Sequence, residues 1–290
     1  MLTLPIFRQL AYISPSQFLR WLECEYRTYL TRQSGLPYLE QPSNLYAEIG
    51  TCFDAFVKEY IVKKRGMNIP ALKLEYQLAR IKNPSAIPIG RAAAIAYTQS
   101  PLIKEFLTGR EIFLDQELIA NIGGVRILGR LDALVDFKVR EWKTRGFSSR
   151  QSPTPGYAER YDFNEHTQSI IQKPPHIDIV KLHEVNFEWA VQQLFYCWII
   201  SDVDYEYNIH ELVRSNEGYI ITRHTGCIEE SFRKRIKTQL ELMWERLTGR
   251  FYYSEIDLPN PSSTICEKYG SLCEAAVHCP YYQAWRKENV

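Results

Sequence analysis

GRLDALVDFKVREWKTRG, residues 129–146, is the stretch from which the fold is read. Val125 to Val135 is rich in apolar and β-branched residues and follows Gly123-Gly124. Asp136-Phe137-Lys138 can turn the chain, and Val139 to Thr144 returns as a second strand. Side chains alternate faces along a strand, so Glu141 and Lys143 share a face while Trp142 turns into the packing behind. Asp132 comes from the paired strand. With the hairpin closed, Asp132 and Glu141 lie near enough to share a divalent cation, with Lys143 beside it; hard oxygen ligands of this kind suit Mg²⁺ or Mn²⁺. A plain cross-strand ion pair accounts for the same spacing, and the hairpin alone does not choose between the two.

Outward from this stretch, composition sets bounds. The chain has 290 residues, 45% of them hydrophobic and 13% aromatic, enough to fill a substantial core in an α/β chain. A formal charge of +1 denies it a global basic field, so any contact with a polyanion has to be local. No long apolar run is present, and MLTLPIFRQL has neither a basic start nor a cleavage site, so a cytoplasmic location and no membrane contact are expected. Of seven cysteines, Cys266, Cys273 and Cys279 crowd the C-terminus, a clustering that points to metal before disulfides in a reducing compartment. Their spacing lacks the Cys-x2-Cys pairs of zinc ribbons. Three thiolates need a fourth ligand, for which Cys24 is the candidate, and four cysteines are what a [4Fe–4S] cluster takes, with zinc the lesser alternative. Cys52, Cys197 and Cys227 read as packing residues.

Along the chain, Ser14 or Ser16 can cap a helix bearing Phe18, Leu19, Trp21 and Leu22 and running to Leu30. Gly50 opens a second helix, GTCFDAFVKEYIVKK, in which Asp54 is either a favourable charge near the helix start or a further metal ligand. Residues 68–109 are helical with proline interruptions. Ser148 to Lys173 reads as a polar loop that offers Arg145, Arg150, Arg160 and Lys173 to phosphates. FEWAVQQLFYCWII, residues 187–200, is an apolar helix with Gln192 and Tyr196 on one face. YEYNI and EGYIITR read as strands. A closing helix from Ile228 carries the stripe Phe232, Ile236, Leu240, Met243 and Leu247.

Taken in this order, SPSQFLRWLEC, GTCFDAFV, GRLDAL, EWK and QQLFY, closed by the cysteine tail, resemble the PD-(D/E)xK nuclease superfamily. Within it the chain is similar to the RecB/AddB-like branch with a C-terminal iron–sulfur cysteine cluster, which includes the CRISPR-adaptation exonucleases. The resemblance implies a restriction-endonuclease-like central mixed β-sheet flanked by helices. It implies one nuclease domain over residues 1–290, with a helical insertion at 55–110 and a cysteine staple joining Cys24 to 266–279. It further implies that Asp132, Glu141 and the Trp142 backbone carbonyl bind Mg²⁺ or Mn²⁺, that Lys143 orients or deprotonates the attacking water, and that Gln192 and Tyr196 line the site. Asp54 stands where such enzymes usually carry histidine, and Glu25 follows Cys24 where proline is common.

The implied activity is metal-dependent hydrolysis of DNA, single-stranded or at duplex ends, by an exonuclease in recombination, repair or phage and mobile-element DNA processing, with a helicase or recombinase as partner. The alternative is a catalytically weakened nuclease-fold module that binds DNA and keeps the cluster. A glycosidase-type carboxylate pair leaves Lys143 without a role.

Overall fold

Two glycines at positive φ, Gly123 (58°) and Gly124 (86°), turn strand β1 (Ile112–Ile122) into β2 (Val125–Val135). Asp136 and Phe137, at 49° and 61°, then turn β2 into β3 (Lys138–Arg145). Consecutive left-handed residues match the right-handed twist of a hairpin. In the computed structural model, which describes residues 11–30, 44–149, 151–176, 180–248, 267–268, 271–272 and 279, these strands begin a seven-stranded mixed sheet. Its order is β1-β2-β3-β6-β7-β4-β5, with β4 Glu159–Asn164, β5 Ser169–Lys173, β6 Glu206–Arg214 and β7 Gly218–Cys227. β3 and β6 run parallel, Glu141 opposite Ile209 and Lys143 opposite Glu211, while β2–β3, β6–β7, β7–β4 and β4–β5 are antiparallel.

The expected loop over Ser148 to Lys173 is corrected by the structure, because β4 and β5 form a hairpin there and extend the sheet. Tyr161 and Phe163 alternate with polar neighbours and bury themselves beside Tyr219 and Ile221. The prolines flank the strands rather than interrupt them, so the backbone N–H groups the ladder needs are present. β6 and β7 are also longer than YEYNI and EGYIITR. β6 lies between β3 and β7 and is buried from Tyr207 to Val213, polar His210 and Glu211 included, so no alternating pattern marks its length.

The chain falls into two compact units. The larger comprises Ser43–Leu118 and Gly129–Glu229, and holds the helices α3 (Leu45–Arg65), α4 (Leu74–Leu78), α5 (Ala86–Gln99), α6 (Lys104–Thr108), α7 (Leu182–Val185) and α8 (Phe187–Ile200). α3 starts one turn earlier than Gly50, because Asn44 caps it by accepting the Tyr46 and Ala47 N–H groups. Gly50 lies inside the helix, where an added Cβ would stand 3.0 Å from Thr144 Oγ1 of β3. One sheet face packs Trp142, Leu212, Ile221 and Phe163 against Phe53, Ile61, Tyr97 and Phe106. In a second cluster Leu131, Leu134 and Val139 pack with Tyr196 and Ile199 of α8.

The smaller unit gathers the described parts of residues 1–42, 119–128 and 230–290. Ser14 caps α1 (Pro15–Glu23) with a reciprocal box: its hydroxyl accepts the Gln17 N–H, and Gln17 Oε1 accepts the Ser14 N–H. The helix breaks at an extended Cys24 before α2 (Glu25–Leu30), rather than running on unbroken. Ile13 bridges to Ile127, and Arg246 of α9 (Glu230–Thr248) pairs with Glu25 at 2.6 Å. Phe232, Ile236, Leu240 and Met243 are buried as expected, while the Leu247 side chain lies outside the described residues. β8 (Glu267–Lys268) and β9 (Ser271–Leu272) pair with each other. Among the described residues no helix is long and apolar enough to cross a membrane.

Candidate active site

The β2–β3 ladder is regular from Val135 opposite Lys138 to Ala133 opposite Arg140. Just beyond it a side chain intervenes, and the Trp142 N–H donates to Asp132 Oδ2 at 3.0 Å. Asp132 is thereby fixed to β3 by a charge-assisted bond. On the same strand the Lys143 ammonium donates to Glu141 Oε1 at 2.6 Å and to Gln192 Oε1 at 2.7 Å. The Gln192 amide N–H groups reach Glu141 Oε1 at 2.9 Å and the Tyr196 hydroxyl at 2.6 Å, and that hydroxyl donates to the Arg130 carbonyl at 2.9 Å. Glu141, Lys143, Gln192 and Tyr196 are thus brought together through one hydrogen-bonded chain. Trp142 points the other way: its indole N–H donates to Tyr97 Oη at 2.9 Å and its ring packs on Phe106.

Glu141 is 2% exposed, and all its bonds fall on Oε1; Oε2 is buried without a partner. Asp54 of α3 repeats the pattern, with Oδ2 held by Lys58 at 2.7 Å and Oδ1 buried and unpartnered. Burial and the neighbouring Asp132 charge push Glu141 up to about 8 against the pull of Lys143. Burial likewise pushes Asp54 up to about 7, with Lys58 working against the shift and Asp132 adding to it. Burial also raises Tyr196 well above the usual phenol range, so it serves as a neutral hydroxyl.

These are the groups a hard cation satisfies: carboxylate oxygens crowded by like charge and left with lone pairs unused. Among the described residues no three or more His, Cys, Asp and Glu side chains close up into a metal cage by themselves. Mg²⁺ does not require one, since it is commonly held by one or two carboxylates and keeps several waters. The donor set therefore fits Mg²⁺ or Mn²⁺.

The other expected residues are placed less uniformly. Arg145 follows Lys143 on β3, and its guanidinium is already engaged with Gln151 Oε1, Thr154 Oγ1 and the buried Glu211. Arg150 lies outside the described residues. Lys173 is exposed on β5, four strands from β3 and so about 19 Å away at ordinary strand spacing, and is not brought to the carboxylates. Cys24 is half-buried and its Sγ accepts the Arg27 N–H at 3.3 Å; Cys279 is buried; Cys266 and Cys273 lie outside the described residues, so the staple is not described. Cys52 and Cys197 are buried as expected, but Cys227 ends an outer stretch of β7 and is exposed, a correction to its reading as a packing residue.

Three residues at this site carry no expectation from the sequence: Lys58, Asp115 and Arg130. The four-residue spacing of Asp54 and Lys58 on a helix is a visible signal for the first. Asp115 is distant in sequence and carries none.

No family model and no curated protein matches the chain. Among solved structures it is similar to a Eubacterium rectale protein named as a candidate exonuclease, with a TM-score of 0.51 and 9% sequence identity, over 90% of this chain and 94% of that one. At that identity what the two share is the fold.

Proposed function

We propose that this chain is a Mg²⁺- or Mn²⁺-dependent DNA nuclease of the RecB/AddB-like PD-(D/E)xK kind, acting as an exonuclease in recombination, repair or phage and mobile-element DNA processing in the cytoplasm, alongside a helicase or recombinase. The observation that carries the reading is Glu141: buried, tied through one oxygen to Lys143 and Gln192, unpartnered at the other, and next to an Asp132 fixed on the adjoining strand. The name of the Eubacterium rectale structure supports the nuclease class.

In this reading Asp132, Glu141 and the Trp142 carbonyl would hold the cation, and Asp54 Oδ1 would be available as a further oxygen. A bound divalent cation supplies charge stabilisation to the phosphate oxygens and lowers the pKa of a water. Lys143, an ammonium fixed between Glu141 and Gln192, would orient the attacking water. Gln192 and Tyr196 keep the amine in place, their chain ending on the Arg130 carbonyl. Arg145, Arg150 and Lys173 are the cations offered to the phosphates of the bound strand. The purified chain is expected to degrade linear DNA with Mg²⁺ or Mn²⁺ and to stop on chelation. DNA binding without cleavage across several metals would instead favour the weakened binding module.

For the thiols, we propose a [4Fe–4S] cluster on Cys24, Cys266, Cys273 and Cys279. The donor chemistry fits at Cys24, whose sulfur is in no disulfide, and cysteine sulfurs are what such a cluster takes. Protein purified without oxygen is expected to be brown, absorbing near about 400 nm as cysteine-ligated iron does, with the colour lost in Cys279→Ala. A colourless preparation with stoichiometric zinc contradicts it.

A further inference from the structure

Lys58 is only 4% exposed, and it lies on the same cluster as the carboxylates. Its ammonium reaches Asp54 Oδ2 at 2.7 Å and Asp115 Oδ1 at 3.4 Å. Asp115 is itself gripped by Arg130, whose Nε and Nη2 donate to its two oxygens at 2.7 and 2.6 Å. Asp115 holds this position from within β1 at φ 56°, in the left-handed region that Asp enters more readily than most non-glycine residues.

An ordinary helix-face ion pair looks different. Lys63 pairs with Glu59 at the same four-residue spacing on the same helix, with its side chain 70% exposed. Burying Lys58 takes an ammonium out of water, which is favourable only where good partners replace the water.

Resting on the nuclease reading above, we propose that Lys58 takes the place of a second divalent cation, so that the site binds a single one. Paired catalytic ions stand about 3.5–4 Å apart and are bridged by shared groups. A bridging carboxylate gives one oxygen to each ion. Asp54 has one oxygen open and the other committed to Lys58, so it can serve one ion only. The charge balance agrees. With all four carboxyls ionised, as cation binding requires, Asp54, Asp115, Asp132 and Glu141 face Lys58, Arg130 and Lys143 and leave one net negative charge. One dication turns this into one net positive charge, and a second would bring three into a buried site. Lys58 is thus a positioning residue, acting through Asp54 and through the number of ions admitted.

The test counts Mn²⁺ bound by the full chain, by electron paramagnetic resonance of the free ion, with the Asp132→Ala/Glu141→Ala double variant as the blank for other sites. Wild type and Lys58→Arg are expected to hold one Mn²⁺ per chain above the blank, and Lys58→Met, similar in length and without charge, two. Two in the wild type, or one in a folded Lys58→Met, overturns the proposal and leaves the nuclease reading standing. None in the wild type overturns both. Should Lys58→Met not fold, the wild-type count still decides.

Discussion

Asp132→Ala, Glu141→Ala and Lys143→Ala are each expected to lower the rate of Mn²⁺-dependent DNA degradation by about 100-fold or more, the scale on which losing one preorganised charge-stabilising group acts. Each removes a different support: Asp132 an oxygen anchored on the Trp142 N–H, Glu141 a buried oxygen without a partner, Lys143 the amine held by Gln192. Glu141→Gln separates this loss from unfolding. Because its folded carboxyl is raised to about 8, the wild-type chain has full stability from this group below the ordinary carboxylate range and loses it progressively as pH rises towards 8. Gln lacks that titration. In the presence of a chelator Glu141→Gln should therefore melt like wild type near the acid end and be more stable by about 3 kcal/mol near pH 8. That figure takes about 1.4 kcal/mol for each tenfold change in proton affinity and is discounted for the lost Lys143 pair. An inactive variant that is also more stable is the signature of a site built for a cation. Retained cleavage in all three alanine variants contradicts the assignment, and so does a Glu141→Gln chain that is less stable at pH 8.

The adjacent residue is expected to answer with the opposite sign. Trp142→Ala should destabilise the chain by about 4 kcal/mol, in the range for emptying a large aromatic from a core. Its ring lies 4.9 Å from that of Phe106 and edge-on to Tyr97 at 6.4 Å. Its N–H donates to Tyr97 Oη, which also meets buried His210 Nδ1 at 2.6 Å, so truncation breaks a polar chain as well as opening a cavity. Urea unfolding followed by far-ultraviolet circular dichroism reads the difference. A loss under about 1 kcal/mol would place Trp142 outside the core and overturn the alternation on which the site is built.

That alternation is legible in the sequence. EWK on a strand puts Glu141 and Lys143 on one side and Trp142 on the other, and Gln192 with Tyr196 on a helix must face one way; the hydrogen bonds follow both rules. What stays hidden has physical causes. Asp115 and Lys58 are 57 positions apart, and no local pattern marks Asp115 for the positive φ it takes within β1. β4 is masked by flanking prolines and by charged Glu159, Arg160 and Asp162; Glu159 is neutralised across the folded sheet by Arg223, and Arg160 by Asp162 two residues along the same strand. β6 carries buried Glu211 because Arg145, Thr154, Thr222 and His224 surround its carboxylate, a compensation spread over three segments.

All of the chemistry proposed for this chain requires Asp132 and Glu141, on neighbouring strands, to grip one hard cation beside Lys143. Diffraction from Mn²⁺-soaked crystals, recorded at the manganese absorption edge, reads that grip without passing through activity. A single anomalous peak is expected in this cluster, within about 2.0–2.6 Å of an oxygen of each carboxylate, the range for hard cations. An absent peak, or manganese bound elsewhere with both carboxylates still unliganded, contradicts it.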